Sequence, residues 1–220
     1  MIIAPYYNVT TGNLSVWVTS DLWEAVSGTV TFTWMDWSGK ELSTNLTKSV
    51  DFEVGAINST QVLQTFTTES LADYDLTNVV LHMTVEADGS LPVGINLLTS
   101  QWDYELILTS QNTNETLTFR HDNWFHPTAL RDAQLVDPGL SLTYSNSTKN
   151  FTVAASTGVA AWVWLDYGSG AVVAFDSNAF WLEPGQPREV GYKVKSDSTG
   201  GGWIGTVSAL MRYGVLAIDR

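Results

Sequence analysis

Cysteine is absent from the 220 residues, so no disulfide staples the fold and its cores must stand on burial alone. That absence leaves the compartment open. No apolar run approaches the roughly 20 residues that a membrane-spanning helix needs. Basic residues are scarce: 10 Lys and Arg stand against 23 Asp and Glu, giving a net charge of −13. Phosphate backbones require clustered cations, so the composition argues against a nucleic-acid partner, and the same charge favours solubility. Histidine occurs three times, and no P-loop or G-x-S-x-G pattern is present. Helical periodicity of useful length is missing as well.

What is present is apolar and aromatic. Hydrophobic residues make up 44% and charged residues 15%, the balance of a globular chain rather than a disordered one. The length allows one large or two small domains. The clearest pattern runs from Val159 to Val194. Val159 to Leu165 is an unbroken apolar run, long enough for a buried strand and too short for a buried helix. Gly168-Ser169-Gly170 turns the chain, Ala171 to Phe175 is a second strand, and Asp176-Ser177-Asn178 turns it again. Phe180-Trp181-Leu182 is a third strand, and Glu183-Pro184-Gly185-Gln186 fits a type II turn. Val190, Tyr192 and Val194 alternate with polar residues, which predicts a fourth strand with one dry face.

The first half reads the same way. Leu14, Val16 and Val18 share a face of a strand from Asn13 to Val18. Ser27-Gly28 punctuates the segment before Thr29 to Met35, where Val30, Phe32 and Trp34 alternate with threonines. Thr47 to Val54 and Gln61 to Thr67 are weaker strands. Val79, Leu81, Met83 and Val85 make a strong one, with Asp88-Gly89 as a turn signal after it. Trp102, Tyr104, Leu106 and Leu108 predict another, and Leu117 and Phe119 close this half. His126-Pro127-Thr128-Ala129 breaks the last strand, because proline donates no ladder hydrogen bond. Asp137-Pro138-Gly139 opens the second half, where Leu140, Leu142 and Tyr144 alternate, as do Phe151 and Val153. Ser198 to Trp203 fits a long turn, and Val207 to Leu210 a final strand. Strands at this spacing with tight turns imply an all-β chain of two consecutive antiparallel sandwiches, at about 5–127 and 128–210, with an unmatched tail at 211–220.

Asn8, Asn13, Asn45, Asn58, Asn114, Asn146 and Asn150 each open an N-x-Ser/Thr sequon, seven of the twelve asparagines. Ser and Thr are about a fifth of the chain, so chance gives roughly two or three matches. The excess points to glycosylation and a secreted, extracellular protein. Met1 to Pro5 has neither a basic n-region nor an apolar h-region and does not read as a signal peptide. A secreted chain of that kind reads as a piece of a longer protein, with Met1 an artificial or misassigned start.

Phe175-Asp176-Ser177-Asn178-Ala179-Phe180-Trp181-Leu182-Glu183-Pro184-Gly185 resembles the F-S-D-N-x-F-x-L-x-P-G-E signature of the last immunoglobulin-like domain of β-mannosidases in glycoside hydrolase family 2. It departs at Gln186, where that family commonly has an acidic residue. Ser20 to Lys40 is similar to the penultimate sandwich of the same enzymes. His121 to Pro127 with Leu130-Arg131-Asp132-Ala133 resembles the passage joining the two sandwiches in fungal members. Together these passages cover most of residues 5–208. The resemblance implies two immunoglobulin-like sandwiches from an exo-β-mannosidase that removes terminal non-reducing β-D-mannose residues from β-mannosides, with retention and without a cofactor. Its implied partners are the catalytic (β/α)8 barrel of the full-length enzyme, the mannoside substrate held by that barrel, and a second copy in a homodimer of the full-length enzyme. No membrane partner is implied.

Retaining glycosidases need two carboxyl groups about 5 Å apart on a rigid scaffold. By the resemblance these sit on a barrel of about 250 residues, which this chain is too short to contain. No catalytic residue is therefore expected here, and Asp and Glu read as solvated faces and turns. His121 and His126 flank Asp122, but a strand puts them on opposite faces, so no metal site is expected and packing between the sandwiches is the reading for them. Ten tryptophans invite a sugar-stacking reading. Trp162 and Trp164 sit inside the apolar run and read as core. Trp181 alternates away from Phe180 and Leu182 and reads as exposed, and Trp124 reads as packing between domains. Trp23, Trp37 and Trp203 lie near turns and are the candidates for an exposed platform. The alternative reading is a free-standing carbohydrate-binding or surface adhesion module.

Overall fold

The computed structural model describes residues 1–43, 45–90 and 116–211. The chain divides into two compact units. The first holds Met1–Asp36 and the described residues from Lys40 to Gln134; the second holds Trp37–Gly39 and the described residues from Leu135 onward. Every strand pair within them is antiparallel. The predicted strand at Trp102 to Leu108, the sequon at Asn114 and the tail beyond Met211 lie outside the described residues.

The first unit contains β1 (Ile2–Asn8), β2 (Asn13–Ser20), β3 (Val26–Met35), β4 (Lys48–Val54), β5 (Asn58–Phe66), β6 (Val80–Ser90) and β7 (Thr116–Phe125). They form a three-stranded sheet, β1-β2-β5, and a four-stranded sheet, β4-β3-β6-β7. Alternation along each strand decides what goes inside. Leu14, Val16 and Val18 of β2 meet Val30, Phe32 and Trp34 of β3 and Leu81, Met83 and Val85 of β6 in one core. The side chains of Leu14, Val16, Val18, Phe32 and Met83 are wholly buried. Each such burial stabilises the unit by about 1.5–3 kcal/mol before conformational entropy is subtracted.

Three features of this unit depart from the sequence reading. A strand, β1, precedes the expected first one, pairing from Ile2↔Thr19 to Asn8↔Asn13. Pro5 is tolerated there because β1 is an edge strand. Ser27-Gly28 and Asp88-Gly89 are not turns. Gly28 pairs with Phe52 of β4 and Ala87 of β6, and Gly89 pairs with Leu117 of β7. At Gly28 the reason is close approach: an added Cβ would lie 2.3 Å from the Glu86 carbonyl oxygen and 2.5 Å from Ala87 Cβ.

The second unit contains β8 (Ser141–Ser145), β9 (Asn150–Ala154), β10 (Ala160–Asp166), β11 (Ala171–Phe175), β12 (Phe180–Leu182), β13 (Arg188–Val190), β14 (Tyr192–Asp197) and β15 (Ser208–Met211). Their sheets are β12-β10-β15, β11-β14 and β13-β9-β8. Phe151, Val153, Val163, Leu165, Phe180, Leu182, Val190 and Trp203 form the core. The type II turn is as expected: Gly185 has φ +79° and Gln186 N–H donates to the Glu183 carbonyl at 3.1 Å. The expected fourth strand instead splits at Gly191. Val190 pairs with Phe151 of β9, whereas Tyr192 pairs with Phe175 of β11. Asp176 fixes the crossing: its N–H donates to the Gly191 carbonyl, and its carboxylate accepts from Gly191 N–H at 3.0 Å. Val190 is therefore buried while Val194, on the other sheet, is exposed.

Each unit is a set of antiparallel sheets around its own core, the all-β class of two consecutive sandwiches expected from the sequence.

Candidate functional site

Strand β10 carries the residues of most interest. Ala160, Val163 and Leu165 are buried in the core, and Trp162, Trp164 and Asp166 are exposed on the outer face. Trp162 and Trp164 are about two-fifths exposed, not core as the apolar run suggested. The register against β12 slips between Ala160 and Val163, and Trp162 has φ +53°. A residue in this left-handed region inside a bulge costs free energy, and bulges re-aim side chains. Here the bulge turns an indole out of the sheet. Trp181 of β12 flanks it, its ring 5.8 Å from that of Trp162 at an interplanar angle of 60°. Leu210 of β15 lies opposite Trp164, and Ser208 opposite Asp166. The outer face of this sheet is thus an aromatic strip ending in a carboxylate and a hydroxyl.

Two of the three tryptophans expected to form an exposed platform are buried. Trp23 is exposed, as expected. Trp37 is 1% exposed: it belongs to the second unit, where its carbonyl accepts from Val159 N–H at 2.9 Å and its ring stacks on Trp181 at 6.1 Å. Trp203 is 2% exposed. It lies in a 3-10 turn, Gly202–Thr206, and its ring meets Tyr192 at 5.0 Å, Tyr167 at 6.1 Å and Phe151 at 6.2 Å. A turn position in the sequence does not imply a surface position when the turn folds back over a core. Neither residue can stack on a sugar.

The same core holds a shifted tyrosine. Burial, and then the 2.8 Å hydrogen bond with the Tyr144 hydroxyl, pushes the Tyr192 phenol up to about 12. Asp197 goes the other way. Its carboxylate accepts from Thr199 Oγ1 and N–H at 2.6 and 2.7 Å and from Gly201 N–H at 2.7 Å, which holds it below the usual carboxylate range.

The histidines serve local structure. His121 Nδ1 accepts from Ile3 N–H at 3.3 Å, and His126 Nδ1 lies 2.6 Å from the Thr128 carbonyl oxygen. The Trp124 ring stacks on His82 at 4.2 Å, across the β6–β7 pair. No group of three or more His, Asp or Glu side chains arranged to hold a metal occurs among the described residues. In the first unit a cavity of about 250 Å³ is lined by Asp36, Lys40, Glu41, Leu42, Tyr74, Asp75, Asn78 and Val79. Asp75 there accepts from Thr77 Oγ1 and N–H and from Gln134 Nε2, and these bonds lower its pKa.

The sequon asparagines divide by exposure. Asn45, Asn58 and Asn146 are exposed. Asn8, Asn13 and Asn150 are half-buried; the Asn8 side chain caps a turn through Thr10 and Thr11 N–H, and Asn150 Nδ2 donates to Glu189.

Beta-mannosidase A of Aspergillus flavus is 39% identical over 206 residues, which is 93% of this chain and 20% of that protein. Beta-mannosidase A of Aspergillus niger is 38% identical over 210 residues, covering 94% of this chain and 20% of that protein. The chain therefore spans about a fifth of the length of these relatives. The crystal structure of a Beta-D-Mannosidase from Dictyoglomus thermophilum superposes with a TM-score of 0.55 at 14% identity, over 96% of this chain and 21% of that one, and so shares the fold. Residues 135–210 match an Ig-fold domain family. Residues 12–128, more than half of the sequence, match the Mannosidase Ig/CBM-like domain, and the chain belongs to that family.

Proposed function

We propose that this chain is the C-terminal non-catalytic portion of an exo-acting β-mannosidase. The whole enzyme removes terminal non-reducing β-D-mannose residues from β-mannosides, with retention and without a cofactor. The observation that carries this reading is the match to fungal proteins named Beta-mannosidase A along 93% of the chain, against 20% of their own length. The two carboxyl groups that a retaining glycosidase requires belong, on this reading, to a barrel in the remaining four-fifths. The sandwiches brace that barrel. In support, the outer face of β1-β2-β5 exposes Ile2, Tyr6, Trp17 and Phe66, an apolar surface of the kind that packs against a larger body.

The whole enzyme is, by the same proposal, a secreted glycoprotein. Among the described residues, Asn45, Asn58 and Asn146 are the sequon asparagines whose exposure suits glycan attachment.

The test is hydrolysis of an aryl β-mannoside. The purified 220-residue chain is expected to be folded, by near-UV circular dichroism, and to release no aglycone above the buffer rate. A chain extended with the barrel is expected to turn over the substrate. Turnover by the 220-residue chain, abolished by mutating one of its own carboxylates, would overturn the proposal.

A further inference from the structure

We propose that the outer face of the β12-β10-β15 sheet is a binding platform for a neutral β-1,4-linked polysaccharide, with Trp162 and Trp164 as its stacking rings.

The rings come first. Trp162, Trp164 and Asp166 point outward from one strand, and Trp181 stands beside Trp162 on the next. Two of these indoles remain about two-fifths exposed although burial would stabilise them. Trp162 is displayed at the cost of a left-handed backbone and a register slip. The ring contact with Trp181 holds it there, so little side-chain freedom is lost when a ligand arrives.

Charge narrows the ligand. β10, β12 and β15 carry no Lys or Arg, and the chain as a whole is at −13. Anionic partners such as nucleic acid, phosphorylated groups and uronate polymers are therefore repelled. Chemistry decides what remains. The axial C–H faces of a β-linked hexopyranose ribbon are weakly positive and stack on the negative faces of indole rings. Its equatorial hydroxyls need polar partners at the edge of the strip, and Asp166 and the Ser208 opposite it supply an acceptor and a hydroxyl. Rings two apart on a strand are spaced by about 7 Å, which places them along the ribbon rather than on one sugar. A protein partner would instead draw on aliphatic side chains and a charged rim, and among the described residues Leu210 is the only aliphatic one of this strip that is exposed.

The experiment uses the 220-residue chain with insoluble mannan and microcrystalline cellulose in depletion assays, and mannohexaose in a tryptophan-fluorescence titration. The chain is expected to be depleted by at least one polymer, with affinity unchanged by added salt. Trp164→Ala is expected to weaken binding by about tenfold or more. Trp162→Gly, chosen because glycine accepts the left-handed backbone, should weaken it similarly while the chain stays folded by near-UV circular dichroism. Trp23→Ala, on the first unit, should bind as the parent does. The proposal is overturned if neither polymer retains the parent chain, the result expected were this face covered by another protein. It is equally overturned if the Trp162→Gly/Trp164→Ala double variant, shown to be folded, binds undiminished.

Discussion

Gly28→Ala tests the packing of the first unit at its tightest point. Gly28 sits in β3 between β4 and β6, so neither flank can yield to solvent. The new methyl would meet the Glu86 carbonyl oxygen at 2.3 Å and Ala87 Cβ at 2.5 Å, both on β6. Relief requires β6 to move, and β6 carries Leu81, Met83 and Val85 in the core. Overpacking of this kind costs about 1–3 kcal/mol. Loss of glycine's unfolded-state entropy offsets about 0.4–1 kcal/mol of that. The net expectation is a destabilisation of about 1–2 kcal/mol, read as a fall of about 4–10 °C in the midpoint of the first unit. Thermal unfolding followed by circular dichroism is the assay, with urea unfolding to supply the free energy. Adding Ala87→Gly removes the methyl contact but not the carbonyl contact, so the double variant should recover part of the loss. An unchanged or raised midpoint for Gly28→Ala would refute the close-approach account and return Ser27-Gly28 to the role of a plain turn.

Two further outcomes follow from the second unit. Trp203→Ala empties the centre of a cluster formed with Phe151, Tyr167 and Tyr192, at a cost of about 3–5 kcal/mol. The near-UV circular dichroism of that unit should be lost while Trp23→Ala leaves it intact; equal spectra would contradict the burial of Trp203. Tyr192 gives a pH dependence. Its phenol is raised to about 12 in the folded chain, so its contribution to stability is full below the ordinary phenol value of about 10 and is lost as pH rises toward 12. Ultraviolet titration should show the Tyr192 phenol ionising late, and Tyr144→Phe should bring it down part of the way, because burial is the larger cause.

How much of this was legible depends on whether hydropathy alternates. Along β2, β3 and β6 polar and apolar residues take turns, and the structure buries the apolar set in each. V-A-A-W-V-W-L has no polar residue to mark the outer face, so sequence alone could not say which of two apolar rows turns inward. Side-chain size settles it: Ala160, Val163 and Leu165 share the core with Phe151, Phe180 and Trp203, and the indoles stay outside it. The bulge at Trp162 then sets the phase, and nothing in the sequence marks it, since the residue that takes the left-handed backbone is tryptophan rather than glycine. Turn chemistry misled in both directions. Gly28 and Gly89 are glycines because a neighbouring strand or ring comes close, not because the chain bends. Trp37 and Trp203 sit in real turns, yet Trp37 is covered by residues more than a hundred positions away. The family resemblance was carried in large part by the turns on either side of β12, Asp176-Ser177-Asn178 and Glu183-Pro184-Gly185, where backbone geometry restricts the residue types. The outward tryptophans of β10 are fixed only by packing against the finished core, so they come into view with the structure. The part of the molecule best suited to meet a ligand was for that reason the part its sequence described as interior.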